Sequence, residues 1–533
     1  MNGVTKSPRV SSRGAALNRP LKKILGFGHR LPWHLVVPAF FFVVMFLYYP
    51  FREVLQYDKD EGLSLMMARL VEDGYQPYDD IWSDHPPLFT YMLVAVFRVA
   101  GMEVNSGRLL VLIVSSILVW AGFQILRWIW GAPHAIAGAV LFFLLPWYLR
   151  LSVSVMIGLP SIALAMLALL ALIRWHFTNK SVWLILSAMA MCCSVLIKVF
   201  TGLLVPIFLV GILAEQYSHQ RGEALQFAKS HEKEVSLLRR GSASRELISA
   251  AAIWLAVFTA LTALLGFFLV GPGNLVQLLL PHLEATGPGL FDEVQYSINV
   301  QIQQALPILG LSLVGALFSL KTKRWLSLYL LAWMVVAYLL LTQHSPVWYH
   351  HQLLVTVPGT LLAAAAVGEG LRVIGEMIRQ RKLLVTRSIL AAVSLLGFVY
   401  IVYAETPDLF NQLRDVPVWT DIEFSAGPYK EKVLKRMIRY APQTHWVVTD
   451  LPMYAFRAGL PVPPNLAVFT TKRIKTGNLT EEEIVETMQT YQPEEVLFTQ
   501  PYFPGITQYL NENYRLVRSQ NTFNLYILKD ITD

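Results

Sequence analysis

The chain has 533 residues, of which 55% are hydrophobic and only 15% are charged. Soluble domains carry roughly 25% charged residues, and soluble cores stop growing at about 250–300 residues, so this composition excludes a soluble enzyme and a disordered chain. The adjacent Cys192 and Cys193 exclude a disulfide scaffold. Basic cytoplasmic loops account for the net charge of +8, so we expect no nucleic-acid partner. The sequence predicts a polytopic α-helical membrane protein in a lipid bilayer.

Charged residues are distributed unevenly along the chain. Residues 405–533 contain 29 of them, close to the soluble norm, whereas the first 404 residues contain 51. We therefore predict a basic cytoplasmic tail over 1–32, a transmembrane domain over 33–404 and a soluble domain over 405–533. Strand-like and helix-like runs alternate in the soluble part, which is typical of a small α/β domain.

Eleven segments are apolar and long enough, or nearly so, to cross a bilayer, which takes about 20 residues. They are 33–50, 108–126, 132–149, 154–174, 181–198, 201–216, 247–270, 304–320, 325–342, 353–371 and 388–404. A twelfth apolar stretch, 88–101, is shorter and contains Arg98. If it does not cross, the basic clusters fall together on one side, as cytoplasmic loops do, so we interpret it as interfacial or re-entrant. The N-terminus is then cytoplasmic, and the C-terminal domain lies outside the plasma (inner) membrane.

The densest cluster of acids in the membrane half lies in the external loop 52–87. Residues 61–71 have the apolar spacing of a helix lying on the membrane surface. Asp58, Asp60 and Glu61 stand at its start, where the helix dipole favours carboxylates. These acids either cap the helix and solvate the loop, or one of them is a general base beside the bilayer. Spacing alone leaves both interpretations open.

The loop resembles the first external loop of the GT-C membrane glycosyltransferases, in the branch of protein O-mannosyltransferases and lipid A aminoarabinose transferases. That family shows an Asp-Glu pair, then an alanine, then G-x-x-P-Y-x-D, and a basic residue before Pro-Pro-Leu. In this chain the positions are Asp60-Glu61, Ala68, Gly74, Pro77, Tyr78, Asp80, and His85 with Pro86-Pro87-Leu88. Agreement with the motifs is confined to the first 200 residues and the turn 344–358. The resemblance implies a GT-C-like fold of about 11 spans with an external C-terminal domain.

What the resemblance implies chemically is an inverting transfer of a hexose or pentose from a polyprenyl-phosphate-linked donor. The acceptor would be an extracytoplasmic hydroxyl on a glycolipid, a cell-envelope polysaccharide or a protein. Such a reaction needs a carboxylate within hydrogen-bond reach of the acceptor, and cations or N–H groups at the departing phosphate. The sequence specifies no cofactor and leaves a requirement for a divalent cation open.

The family motif assigns particular roles to residues of the loop 52–87. Asp60 aligns with the leading acid and is the expected base, and Glu61 would support it or hold a metal. Asp58, two residues away, is the local rival. Tyr78 and Asp80 are the motif residues expected to bind substrate.

Four further residues are candidates for binding the donor phosphate. His85 stands where many relatives carry Lys, which leaves its charge at neutral pH open. Lys198 lies in the short turn between two spans, where either snorkelling or a bound anion explains a lysine. His350 and His351 fall where relatives place a Tyr- or His-bearing turn near the lipid phosphate, and structural histidines at the membrane interface are the alternative.

One departure from the family pattern concerns a second acid in the next external loop. Residues 150–161 contain Arg150 but no Asp or Glu. Asp79, Asp80 or Asp84 would have to substitute for it, unless they are simply solvated loop acids.

Two other functions stay open. A transporter or flippase of polyprenyl lipids or solutes favours internal repeats and ionisable groups at mid-membrane, and the sequence shows neither. An inactive relative that binds polyprenyl lipids is the third interpretation, because the second acid is missing. For a transferase, the side of the membrane suggests that the C-terminal domain covers or selects the acceptor.

Overall fold

The structure is a computed structural model that describes residues 33–52, 54–214, 236–287, 289–322, 325–380, 385–414, 428–499, 503–520 and 523–531. The predicted tail over 1–32 lies outside the described residues. The helices of the membrane part are α1 Trp33–Tyr48, α2 Lys59–Glu72, α3 Leu88–Ala100, α4 Val104–Ile129, α5 Ala132–Phe143, α6 Tyr148–Leu151, α7 Gly158–Thr178, α8 Ser181–Val195, α9 204–214, α10 Ser236–Leu269, α11 Leu275–Ala285, α12 Ile298–Gln301, α13 Leu306–Lys321, α14 Leu328–Thr342, α15 Leu353–Gln380 and α16 Val385–Arg414.

Apolar helices dominate this part of the chain. Within the described ranges, six are long and apolar enough to cross a membrane, and six shorter ones are similarly apolar. Each of the eleven predicted spans overlaps one of these helices, so the prediction of a polytopic helical membrane protein is confirmed. The number of spans stays a prediction, because helix length and composition do not position a bilayer.

Helix α15 is the centre of the bundle. The side chains of 353–370 are all buried, and they include the run of alanines 363–366. A helix that is apolar and buried on every side packs against neighbours all round, and small residues let the backbones approach closely. A Cβ added at Gly315 of α13 would overlap the carbonyl of Leu362, so this position requires glycine.

Helix α3 packs with both of its ends near groups that we place on the external side. At its start, the Leu88 amide donates to the Leu196 carbonyl beyond the end of α8 at 3.2 Å. Near its end, the Phe97 and Phe456 ring centroids lie 5.9 Å apart, and Phe456 belongs to the C-terminal domain. The interfacial placement of 88–101 stays a prediction.

The C-terminal domain is a small sheet with helices. Its helices are α17 Pro428–Tyr440, α18 Pro452–Arg457, α19 Thr471–Lys475, α20 Glu481–Tyr491 and α21 Pro504–Asn513, and its strands are β1 Val447–Thr449, β2 Glu495–Phe498, β3 Tyr514–Gln520 and β4 Phe523–Leu528. The sheet order is β1-β2-β4-β3, with β1 parallel to β2 and the other pairs antiparallel. The predicted small α/β domain is confirmed. Helix α16 continues past residue 404, the last residue of the predicted transmembrane domain.

The C-terminal domain docks directly on the loop that precedes α2. The Arg457 guanidinium donates to the Val54 and Leu55 carbonyls at 2.8–3.0 Å. Helix α18 lies so close to α2 that a Cβ at Gly62 would meet the backbone of Met453. The first external loop and the C-terminal domain therefore form one packed unit.

A buried ion pair fixes the same loop from the membrane side. Glu61 in α2 and Arg108 in α4 are both fully buried, and two parallel N–H···O bonds of 2.8 Å join them. The Arg108 guanidinium also donates to the Phe51 and Val54 carbonyls. The second oxygen of Glu61 accepts the Tyr57 amide at 2.9 Å. The loop backbone is thus wrapped around one guanidinium.

We predict that Arg108→Met strongly destabilises the fold, because it leaves Glu61 buried without its counter-charge. Loss of one partner of a buried pair costs about 3–5 kcal/mol, and the apparent melting temperature of the purified protein in detergent measures it. Arg98→Met is the matched control. It removes an ion pair with Glu72 that is largely exposed on the arginine side, which is worth less than about 1 kcal/mol. Equal losses in the two variants would contradict the prediction.

Candidate active site

A cavity of about 690 Å³ lies between the ends of the membrane helices and the C-terminal domain. Its walls come from the first external loop, the turns after α6 and α8, the segment 282–301, the turn 344–351 and the segment 468–472. The charged and imidazole side chains that line it are Asp58, Lys59, Asp60, Asp84, His85, Arg150, Lys198, His282, His344, His350, His351, Asp450 and Lys472. Distant parts of the chain thus bring acids, bases and imidazoles to one space.

Asp58 is the N-cap of α2. Its side chain accepts the Asp60 amide at 2.9 Å, which satisfies one of the open N–H groups of the first turn. Burial raises the pKa of Asp58, while the Arg150 guanidinium and the Tyr349 hydroxyl act to lower it. The carboxylate of Asp58 is therefore occupied by the cap of α2 and by its interaction with Arg150.

Asp60 lies one residue into the same helix and has a different environment. Burial and the negative charge of Asp58 raise the pKa of Asp60 to about 7, and the Lys198 ammonium opposes the shift. A carboxylate with a pKa near neutrality accepts a proton far more readily than an ordinary aspartate. Of the two acids, Asp60 has the properties of a general base.

Three other predicted site residues do not line the cavity. Glu61 is engaged by Arg108, so the structure places it as a support for the loop and gives it no free oxygen for a metal. The exposed Asp80 accepts the Gln76 amide at 2.7 Å, which closes a local turn. The Tyr78 hydroxyl donates to the carbonyl of His85 at 2.8 Å. Tyr78 and Asp80 shape the loop that carries His85.

The four predicted phosphate ligands all line the cavity. Lys198 is only 8% exposed, and its ammonium lies 5.6 Å from the centroid of the Phe200 ring. His350 and His351 are buried with their ring centroids 4.5 Å apart. Burial lowers the pKa of His85 to about 4, so this imidazole is neutral at pH 7. Lys198 brings a charge to this side of the cavity, and His85 brings a polar but uncharged ring.

A second cluster, which sequence reasoning left incomplete, joins Asp84, His282 and Lys472. The Lys472 ammonium donates to Oδ2 of Asp84 at 2.7 Å and to Nδ1 of His282 at 2.9 Å. Burial opposes ionisation of Asp84, but His85 and Lys472 hold the pKa of Asp84 well below its usual range. Asp84 was one of three acids considered as a substitute for the missing second acid, whereas His282 and Lys472 carry no local signal.

Asp84, His85 and His282 also have the spacing of metal ligands. In the part of the chain that the structure describes, their ligand atoms lie within 4.8 Å of one another. Aspartate and histidine suit Zn²⁺ or Mn²⁺. The arrangement nevertheless does not fit an ion as it stands, because Lys472 already neutralises Asp84 and uses Nδ1 of His282.

Removal of the charge from Asp60 and from Asp84 should change the stability of the fold in opposite directions. The folded protein holds the Asp60 proton more tightly than the unfolded chain does, so this contribution is full below about pH 4 and is lost as the pH rises through about 7. Asp84 behaves in the reverse way, and its contribution is present at neutral pH and lost on acidification.

At pH 8 we therefore expect Asp60→Asn to raise the apparent melting temperature by a few degrees and Asp84→Asn to lower it. The gain for Asp60→Asn should shrink at pH 5, where the native Asp60 is already protonated. Asp80→Asn, at an exposed position, is the control. A lower melting temperature for Asp60→Asn at pH 8 would refute the environment described for this carboxylate.

Comparison with known proteins identifies the fold that contains this cavity. Residues 84–225 match the family model of the dolichyl-phosphate-mannose-protein mannosyltransferases. No curated protein sequence matches the chain. ArnT from Cupriavidus metallidurans bound to undecaprenyl phosphate is similar with a TM-score of 0.56 at 12% identity, over 93% of this chain and 97% of that one.

Two structures from Archaeoglobus fulgidus are similar as well. Its oligosaccharyltransferase in the apo form gives a TM-score of 0.54 at 14% identity, over 88% of this chain and 70% of that one. AglB with an inhibitory peptide and a dolichol-phosphate gives 0.54 at 12% identity, over 94% and 75%. At these identities the similarity establishes the fold: the chain has the GT-C fold that the motif of its first external loop predicted.

Proposed function

We propose that this chain is a membrane glycosyltransferase that moves a sugar, with inversion, from a polyprenyl-phosphate-linked donor to an extracytoplasmic hydroxyl. The observation that carries the proposal is the convergence of Asp60, Lys198 and His85 in one cavity at the ends of the membrane helices. The lipid donor is further supported by two structures of the same fold, which contain undecaprenyl phosphate and dolichol-phosphate.

Asp60 acts as the base. As the acceptor oxygen forms its bond to the anomeric carbon, the Asp60 carboxylate takes the hydroxyl proton. Its pKa of about 7 lets it be ionised at neutral pH and still bind a proton during the reaction. Asp58 holds Asp60 in place through the N-cap hydrogen bond and supplies the negative charge that makes Asp60 more basic.

The leaving phosphate is received by Lys198 and the two adjacent histidines. The bond between the anomeric carbon and the phosphate oxygen breaks with its electron pair on that oxygen, so negative charge grows there. Lys198 supplies a positive charge, and His350 and His351 supply imidazole N–H groups in the same wall. Fixed donors are worth more in an enclosed cavity than in water.

The acceptor side is formed in part by the C-terminal domain. Residues 468–472 and Asp450 line the cavity, so this domain meets whatever hydroxyl approaches Asp60. We propose that it helps to select the acceptor, which is a glycolipid, a cell-envelope polysaccharide or a protein.

Asp60→Asn should abolish transfer, with a fall of about 10³-fold or more from the loss of the base. The test is mass spectrometry of the glycans and glycolipids that disappear when the gene is deleted and return when it is reintroduced. The Asp60→Asn gene should restore none of them, although the protein is inserted and folded. Asp80→Asn, which removes an exposed motif acid, should restore them all. Full restoration by Asp60→Asn would remove Asp60 from its role.

The rate should also report the titration of Asp60. We expect kcat/KM to rise with pH to a plateau above about pH 7, because only the ionised carboxylate accepts a proton. Asp58→Asn removes a negative neighbour and should move the rise to lower pH, whereas Lys198→Met should move it to higher pH. An unchanged midpoint in both variants would assign the titration to another group.

A further inference from the structure

Lys472 reaches the cavity from the C-terminal domain. It lies on α19, and its side chain is 16% exposed beside the largely buried Asp84. The partners are 388 residues apart in the chain, so the contact exists only because the C-terminal domain is docked. Lys472 is thus a charge that one domain inserts into the wall of the other.

The hydrogen bonds of this cluster determine the protonation of His282. An ammonium only donates, so Nδ1 of His282, 2.9 Å from Nζ of Lys472, is an acceptor. Its other nitrogen, Nε2, then carries the proton and donates to the backbone carbonyl of Asp84 at 3.1 Å. Burial lowers the pKa of His282 to about 4, in agreement with a neutral ring. Both nitrogens of His282 are therefore occupied.

Helix α19 is held in position on both sides of Lys472. Thr470 caps the helix by accepting the Arg473 amide at 3.2 Å. The Lys475 ammonium donates to the Leu290 carbonyl at 2.8 Å, and the Asn478 amide donates to Glu284 at 2.8 Å. The ammonium of Lys472 is thus placed by a docked element and does not depend on its own flexible side chain alone.

We propose that Lys472 is the resident cation of the Asp84–His282 cluster, and that it binds the phosphate of the donor in place of a divalent metal ion. Its two contacts use two of the three N–H donors of the ammonium, and a phosphate oxygen in the cavity accepts the third. An ion at this cluster would have to displace the ammonium from Asp84 and from Nδ1 of His282. The phosphate part of the proposal rests on the proposed function, whereas the exclusion of a metal does not.

The exclusion of a metal is tested without turnover. The purified full-length protein is titrated with Zn²⁺ by calorimetry, and the signal of interest is the binding that Asp84→Asn removes. Wild-type protein should show none. Lys472→Met should show Asp84-dependent binding at Zn²⁺ concentrations about 10-fold below the highest at which wild type shows none, because the cluster is then free to ligate an ion.

If wild type and Lys472→Met show the same Asp84-dependent affinity for Zn²⁺, the proposal that Lys472 is the resident cation is overturned. Lys472→Arg keeps the positive charge and should exclude Zn²⁺ as wild type does, so Asp84-dependent binding by this variant would also overturn it. Lys529→Met removes an exposed lysine of the same domain that does not line the cavity, and it should behave as wild type.

Phosphate binding is tested with undecaprenyl phosphate in nanodiscs. Lys472→Met should weaken its binding about 10-fold, and Lys529→Met should leave it unchanged. Treatment of wild type with EDTA should alter neither binding nor transfer. Loss of binding in EDTA that Zn²⁺ restores would overturn the proposal. If the Zn²⁺ titration behaves as expected but undecaprenyl phosphate does not bind wild type, the proposed function fails and the resident cation stands.

Discussion

The ion pair between Glu61 and Arg108 is the constraint on which the site depends. A carboxylate and a guanidinium removed from water are costly to bury, and the cost is offset only when their remaining hydrogen-bonding groups are satisfied. Here the satisfying groups are the backbone atoms of the first external loop, including the Tyr57 amide and the Val54 carbonyl. The loop therefore cannot change its path without exposing a buried charge. The path of the loop therefore determines the positions of Asp58 and Asp60.

The cavity holds two carboxylates, Asp60 and Asp84, whose pKa values are shifted in opposite directions by their surroundings. Burial and the nearby Asp58 raise the pKa of Asp60, whereas His85 and Lys472 outweigh the effect of burial on the pKa of Asp84 and keep Asp84 ionised. His85 and His282 are held neutral by burial. These two imidazoles therefore contribute hydrogen bonds and no charge to the cavity at pH 7, and its cations are left to attract an added phosphate.

The residues that sequence reasoning identified share one property, which is that a local pattern marks them. Asp60 and His85 stand at defined positions of a motif, and Lys198 is conspicuous as a charge at the end of an apolar run. Lys472 has no such context, because its neighbours in the chain resemble any charged helix. Its place in the cavity follows from docking between residues hundreds of positions apart, which no local pattern encodes.

The ion pair of Glu61 could not be predicted from the motif for the same reason. Its partner Arg108 stands at the start of a predicted span, where an arginine is usually explained by snorkelling. Only the packing of α2 against α4 reveals that the two charges meet. The fold class could be predicted because long apolar helices are evident from the composition of the chain. The pairing of Glu61 with Arg108 could not be predicted in this way.

The position of Lys472 has a consequence for biosynthesis. The chain is synthesised from its N-terminus, so Asp58, Asp60 and Asp84 are made long before the segment 468–472. The site acquires its last wall only after the C-terminal domain has folded its sheet and docked through Arg457. Completion of the cavity is therefore tied to the folding of the C-terminal domain, and a protein in which that domain is undocked lacks the ammonium of Lys472 beside Asp84.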